Sequence, residues 1–199
     1  MMRSDLVTQP YPQPRRLRFS VDDYYKMIEM GMIEDYERSE IIDGEMVPKM
    51  TIGDRHAAAV NRLNRLLASV LPQSILLSIQ NPIRISDFDE PEPDVVLADL
   101  TKYDGNRHPR PEETILVIEV SDISLKHDRD VKLPLYADAG IAEVWIVNLR
   151  DNVIEIHQDP SLGIYQQVKI FKPGGQATST VLPDVSFDVD AIIPQATQE

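Results

Sequence analysis

Hydrophobic residues recur with a helical period in two segments of the chain. Residues 54–72, DRHAAAVNRLNRLLASVLP, carry an apolar stripe along one face, and we predict a helix that Asp54 caps and that ends before Pro72. Residues 20–31, SVDDYYKMIEMG, predict a shorter helix, because Ser20 is a favourable N-cap residue and an acid follows three positions later.

Short apolar runs predict strands between and after these helices. Asp43-Gly44 is a two-residue turn signal between short apolar runs, so residues 39–47 predict a hairpin. Further strands are predicted within the segments at 75–86, 94–99, 114–120, 143–149, 152–158, 164–170 and 180–189.

One segment combines helical character with a residue that opposes it. Residues 126–140, KHDRDVKLPLYADAG, contain Pro134, which allows only a helix that starts late or one that kinks. We expect this helix to start near Asp128, so that Lys126 lies before it and is more mobile.

The sum of these elements is an α/β (α+β) domain with a central sheet of six or more strands and helices packed on it. Residues 1–18 contain three prolines and no apolar period, and they predict an extended N-terminal arm. Residues 19–199 are then expected to form a single domain.

Composition excludes several classes of protein. The longest apolar runs, such as TILVIEV at 114–120, are far too short to span a bilayer. Residues 1–19 contain no apolar h-region, so we expect no secretory signal there. The absence of cysteine rules out disulfides and thiolate zinc sites and fits the cytoplasm.

The net charge of −13 argues against a broad basic surface for nucleic acid. It leaves open an enzyme that meets phosphate through a metal ion held by acids.

Two carboxylates interrupt the central strands. Asp94 follows Pro93 and leads directly into an apolar strand, and Glu119 lies near the end of the next strand. Antiparallel pairing of consecutive strands would place both acids at one edge of the sheet. Two carboxylates with waters and a substrate phosphate are a usual way to hold Mg²⁺. Either acid alone is more often a strand-end cap or an ion-pair partner.

Lys132 is the third candidate. It follows Glu119 by 13 residues, on the helix expected to pack after that strand. Its ammonium could orient a water or stabilise phosphate charge, or it could merely pair with Asp128 four residues earlier. Spacing alone does not choose between these roles.

These residues carry a resemblance to a known family. Pro93-Asp94, LVIEVSD and HDRDVKLPLYADAGIAEVWIVN resemble the bacterial family of putative restriction endonucleases with a PD-(D/E)XK nuclease fold. The resemblance covers roughly residues 20–188. It implies a restriction-endonuclease-like mixed sheet flanked by helices, and a nuclease core in which Asp94 and Glu119 bind Mg²⁺ or Mn²⁺. Positions that match the family pattern, or that the resemblance brings toward the same pocket, are accessory candidates: Glu40, His56, Ser121, Asp128 and Tyr136.

The lysine position departs from the wider nuclease superfamily. That superfamily places its lysine two residues after the glutamate, where this chain has Ser121. The resemblance suggests that the lysine has moved to the helix as Lys132.

The sequence therefore predicts a metal-dependent endonuclease that hydrolyses phosphodiester bonds in DNA, with Asp94, Glu119 and Lys132 as catalytic residues. DNA is the expected partner, no membrane is involved, and a homodimer is left open. One alternative is a non-catalytic nuclease-fold module that binds nucleic acid or protein. Another is a structural oligomer whose acids pair internally.

Overall fold

A six-stranded sheet forms the centre of the computed structural model, which describes residues 17–34 and 39–195. Most of the predicted N-terminal arm, residues 1–16, lies outside the described residues. The strands of this sheet, in spatial order, are β3 (Ile75–Ile79), β4 (Val95–Asp99), β5 (Thr114–Ser121), β6 (Glu143–Asn148), β7 (Val153–Ser161) and β8 (Ile164–Phe171). All neighbours pair antiparallel except β5 and β6, which are parallel. The predicted mixed sheet is confirmed.

Helices and two small hairpins surround this sheet. Their bounds are α1 (Val21–Glu29), β1 (Ser39–Ile42), β2 (Glu45–Pro48), α2 (Asp54–Val70), α3 (Leu125–His127), α4 (Leu133–Asp138), β9 (Gln176–Thr178), β10 (Ser186–Asp188) and α5 (Val189–Ile192). Within the described residues no helix is both long enough and apolar enough to cross a membrane.

The sheet separates two hydrophobic cores. On one face β4 and β5 pack with α2, α5 and the C-terminal segment, around Leu63, Leu97 and Trp145. On the other face they pack with α4, around Val96 and Tyr136. Apolar side chains on both faces explain why β5 and β6 read as nearly continuous hydrophobic runs.

Hairpin β1–β2 forms as predicted. Asp43 and Gly44 both have positive φ, 52° and 70°, which suits a tight two-residue turn between antiparallel strands. An isolated bridge between Ile41 and Glu90 fixes the hairpin to the loop that precedes β4. This contact places Glu40 beside the segment that leads into β4, where it accepts the backbone N–H of Glu92.

The helix predictions hold with two corrections. Ser20 caps α1 through a complete capping box with Asp23, as expected. Helix α2 is capped by Gly53 instead of Asp54, which lies in the first turn and makes no cap bond. The third predicted helix begins at Leu125, three residues earlier than expected, so Lys126 lies within it.

The irregularity expected at Pro134 takes the form of a π turn. Asp128–Lys132 is a π-helical segment between α3 and α4, and the backbone N–H of Leu133 donates to the carbonyl of Asp128, five residues earlier. Proline has no N–H to continue the α-helical ladder, and its ring crowds the carbonyl four residues before it. The wider turn accommodates Pro134 without breaking the helix.

Candidate active site

The pairing of β4 with β5 places two carboxylates beside each other. The strands are antiparallel as predicted, and Val95 lies opposite Ile118. Asp94 and Glu119 are the next residues along the two strands, and they therefore lie at the same end of the strand pair. Side chains alternate between faces along a strand, so both acids lie on the face that also carries Val96.

Asp94 accepts three hydrogen bonds from three separate parts of the chain. The backbone N–H of Val120 donates to Oδ2 at 2.8 Å, His56 Nε2 lies 3.1 Å from the same oxygen, and Gln80 Nε2 donates to Oδ1 at 3.3 Å. Burial lowers the pKa of His56, but the contact with Asp94, together with the charges of Asp128 and Asp122, outweighs burial and raises that pKa overall.

Glu119 is almost fully buried on the adjacent strand. The hydroxyl of Tyr136 donates to Oε1 at 2.7 Å, and Lys132 Nζ lies 3.4 Å from that oxygen. Burial raises the pKa of Glu119 well above its usual value. The negative charges of Asp128 and Asp94 also raise that pKa, and the positive charge of Lys132 only partly offsets these effects. A further cation close to Glu119 would therefore stabilise its ionised form.

Lys132 lies between two acids. Its Nζ is 3.2 Å from Glu40 Oε2 and 3.4 Å from Glu119 Oε1, and it donates to the carbonyl of Glu92 at 3.2 Å. Burial lowers the pKa of Lys132, but attraction by Glu119 and Glu40 outweighs burial and raises that pKa above its ordinary value. Lys126 is different, because its side chain is 88% exposed and pairs with Asp130.

Glu40 reaches this group from β1. Its Oε2 accepts the backbone N–H of Glu92 at 2.9 Å as well as Lys132, and its Oε1 lies 3.4 Å from His127 Nε2. Burial alone would raise the pKa of Glu40, but His127 and Lys132 outweigh it and lower that pKa overall. Glu40 is thus an ionised, buried carboxylate with three N–H donors.

Ser121 and Asp128 form a buried pair at the end of β5. The Ser121 hydroxyl donates to Asp128 Oδ2 at 2.7 Å, and burial is the main reason that the pKa of Asp128 is raised. Ser121, at the position of the lysine in the wider superfamily, therefore holds the π segment against the strand.

A cavity of about 530 Å³ opens over these groups. The predicted residues that line it are Glu40, His56, Asp94, Glu119, Asp128 and Lys132. Ser121 and Tyr136 lie behind this wall, where they hold Asp128 and Glu119. Sequence reasoning missed Gln80 and His127, which also line the cavity. His127 lacked metal-ligand spacing, and nothing in the sequence around Gln80 indicated its positive φ of 52°.

The donor set fits a hard divalent cation. Carboxylate oxygens are the ligands that Mg²⁺ and Mn²⁺ prefer, and Mg²⁺ commonly uses only one or two of them and keeps waters and substrate phosphates as its other ligands. Asp94 and Glu119 supply two such groups, and a cation would offset the burial and the neighbouring negative charges that raise the pKa of Glu119. The described residues contain no group of three or more His, Asp or Glu side chains arranged to hold a metal ion. Asp94 and Glu119 therefore need waters or substrate to complete a coordination shell.

The chain is similar to proteins described as nucleases. A family described as "Putative restriction endonuclease" (Uma2) matches residues 21–190. The fold is similar to the crystal structure of a putative nuclease belonging to DUF820 from Anabaena variabilis, with a TM-score of 0.67 and 15% sequence identity. This similarity covers 87% of this chain and 97% of the other, and at such low identity it concerns the fold. No curated protein matches the sequence significantly.

Proposed function

The chain belongs to the Uma2 family of putative restriction endonucleases, and from this membership we propose that it is a metal-dependent endonuclease that hydrolyses phosphodiester bonds in DNA. One observation carries the proposal: Asp94 and Glu119 lie side by side on antiparallel strands and on one face, in a cavity that also contains the buried ammonium of Lys132. Two acids and a charged lysine around one cavity suit the hydrolysis of a phosphodiester.

Asp94 and Glu119 would hold Mg²⁺ or Mn²⁺. A bound divalent ion supplies Lewis acidity, which polarises a phosphoryl oxygen and lowers the pKa of a water. His56, Gln80 and the backbone of Val120 keep the Asp94 carboxylate in one orientation. Tyr136 does the same for Glu119 through its hydroxyl.

Lys132 would orient the attacking water or stabilise the charge that develops on the phosphate. Its raised pKa keeps the ammonium protonated, so it acts as a donor and a positive charge. Glu40 and the carbonyl of Glu92 hold that ammonium in place. Asp128 and Ser121 fix the start of the π segment that carries it.

Cleavage of plasmid DNA in the presence of Mn²⁺ tests the proposal. Wild type is expected to nick or linearise DNA with Mn²⁺ and to do neither in EDTA. Asp94→Asn and Glu119→Gln should both abolish cleavage, because each removes a charged ligand. Asp99→Asn is the matched control, since Asp99 lies at the other end of β4 and bonds locally to Thr101.

The contrary outcome is equally clear. Equal cleavage by wild type and Asp94→Asn would mean that the activity arises elsewhere or from a contaminant. DNA binding without cleavage by any variant or metal would favour the non-catalytic nuclease-fold module.

A further inference from the structure

The π turn brings two nitrogen-bearing side chains onto one carboxylate. His127 and Lys132 are five residues apart, a spacing that puts side chains about 140° apart around an α-helix. A π turn bonds residues five apart, so such residues lie on one side of it. Here His127 Nε2 lies 3.4 Å from Glu40 Oε1, and Lys132 Nζ lies 3.2 Å from Glu40 Oε2.

The two side chains are held with unequal strength. Lys132 is 8% exposed and has three oxygen partners within 3.4 Å, whereas the side chain of His127 is 24% exposed and faces the cavity. A separation of 3.4 Å is long for a hydrogen bond, so the tie between His127 and Glu40 is weak. Because the ionised Glu40 only accepts, Nε2 must carry the hydrogen.

From this arrangement we propose that His127 is a substrate-contacting residue, whose Nε2–H donates to a phosphate oxygen of DNA bound in the cavity. The inference rests on the proposed nuclease function and adds a residue to it. No covalent bond is made or broken in this step. The Nε2–H exchanges a hydrogen bond to Glu40 for a hydrogen bond to a phosphate oxygen.

Other N–H donors on the cavity wall are less free to make this exchange. His56 and Gln80 hold Asp94, and Lys132 compensates both Glu40 and Glu119. Lys49, which also lines the cavity, donates to Glu92 at 2.6 Å, a much shorter contact than that of His127 with Glu40. When His127 turns toward a phosphate, Glu40 keeps its bonds to Lys132 and to the backbone N–H of Glu92. The exchange therefore leaves no buried charge without a partner.

Binding of a fluorescently labelled DNA duplex, measured by anisotropy in Ca²⁺, tests the inference. His127→Ala should weaken binding about tenfold, the scale for losing a hydrogen bond to a charged group. His127→Gln should restore most of the affinity, because its amide nitrogen reaches the position of Nε2. Lys126→Ala is the matched control, since Lys126 is an exposed cation on the same helix and should bind like wild type.

Calorimetric titration with Mn²⁺ alone separates this role from a structural one. All three variants should bind Mn²⁺ with the affinity of wild type and keep its melting temperature within a few degrees. Wild-type DNA affinity in His127→Ala would overturn the inference and leave the nuclease proposal intact. Loss of Mn²⁺ affinity or of folding in both His127 variants would overturn it too, because His127 would then support the site indirectly. If wild type binds no DNA in Ca²⁺, the proposed function itself fails.

Discussion

Asp94 depends on neighbours that come from distant parts of the chain. Its three N–H donors are on α2, after β3 and on β5, and only the last of these follows from strand pairing. Gln80 holds a positive φ of 52°, a conformation that costs a residue with a Cβ roughly 1 kcal/mol or more. That conformation directs both its backbone and its side-chain N–H groups toward Asp94. Strain at Gln80 thus contributes to the order of the candidate site.

Lys132→Ala should separate the proposed catalytic charge from ordinary surface charge. Its removal leaves Glu40 and Glu119 buried without their shared cation, which costs about 3–5 kcal/mol of stability. DNA cleavage should fall roughly a hundredfold or more, the effect of losing one transition-state donor. Mn²⁺ binding should survive, since an ammonium is not a metal ligand.

Lys126→Ala is the control for that variant, because it removes an exposed cation whose pairing with Asp130 contributes little. Urea unfolding and plasmid cleavage measure the two effects separately. If Lys132→Ala cleaved DNA like wild type while Lys126→Ala were impaired, the assignment of Lys132 as the catalytic lysine would be wrong.

Glu155 should make part of the stability depend on pH. Burial would raise its pKa, but the contact with His157 and the hydrogen bonds from Arg129 and Asn148 outweigh burial and lower that pKa from 4.5 to about 2. A carboxyl whose pKa is lower in the folded state stabilises the fold above the unfolded pKa and loses that contribution as pH falls through the folded one. Glu155→Gln should therefore be less stable than wild type above pH 4.5. The difference should shrink as pH falls toward about 2.

Chemical unfolding at several pH values measures this difference directly. The Glu112→Gln variant, which alters an exposed acid outside this cluster, should show no comparable trend. A difference between wild type and Glu155→Gln that stays constant with pH would rule out the lowered pKa as its source.

Among the elements, those governed by local sequence were predictable and those governed by packing were not. Turn residues and alternation predicted hairpin β1–β2 and the consecutive strands, and hence the edge where Asp94 meets Glu119. The π turn was beyond such reasoning, because Pro134 permits several helical irregularities and tertiary contacts decide which one forms. The meeting of His127 with Glu40 depends on that choice and was missed for the same reason.

Hairpin β1–β2 carries Glu40 to the site, so its turn offers a test of the element. An alanine Cβ at Gly44 would lie 2.6 Å from Arg18 Cβ, and φ there is +70°. At Gly31 φ is +69°, but no atom lies within 4 Å of the added Cβ. Gly31→Ala should cost roughly 1 kcal/mol from the backbone alone, and Gly44→Ala should cost clearly more.

Guanidinium unfolding of both variants isolates the steric part, because the backbone strain is matched between them. Gly44→Ala should also lower DNA cleavage, since any shift of the hairpin moves Glu40 away from Lys132. Equal stability losses in the two variants would show that the approach of Arg18 to the turn is of no consequence.

For the chain as a whole, the net charge of −13 bears on how DNA could be held. A strongly acidic protein repels a polyanion at long range, so the attraction must come from a local site where cations concentrate.

We propose that residues 19–199 form a single domain. Arg55 donates hydrogen bonds from α2 to the carbonyls of Leu149 and Pro194. These bonds connect the C-terminal segment to the helix that carries His56.

Divalent metal should raise the melting temperature of the chain. A ligand that binds only the native state stabilises it by about 2.7 kcal/mol at a hundred times its Kd, which is about 5–10 °C for a domain of this size. The physical reason lies in Asp94 and Glu119, two neighbouring carboxylates whose repulsion a shared cation removes. Mn²⁺ should therefore raise the melting temperature of wild type.

Asp94→Asn should show no shift in melting temperature, because it lacks one of the two charged ligands, and Asp99→Asn should shift as wild type does. Scanning calorimetry in EDTA and over a Mn²⁺ series measures all three. Equal shifts in wild type and Asp94→Asn would locate the metal elsewhere and remove the basis of the proposed mechanism.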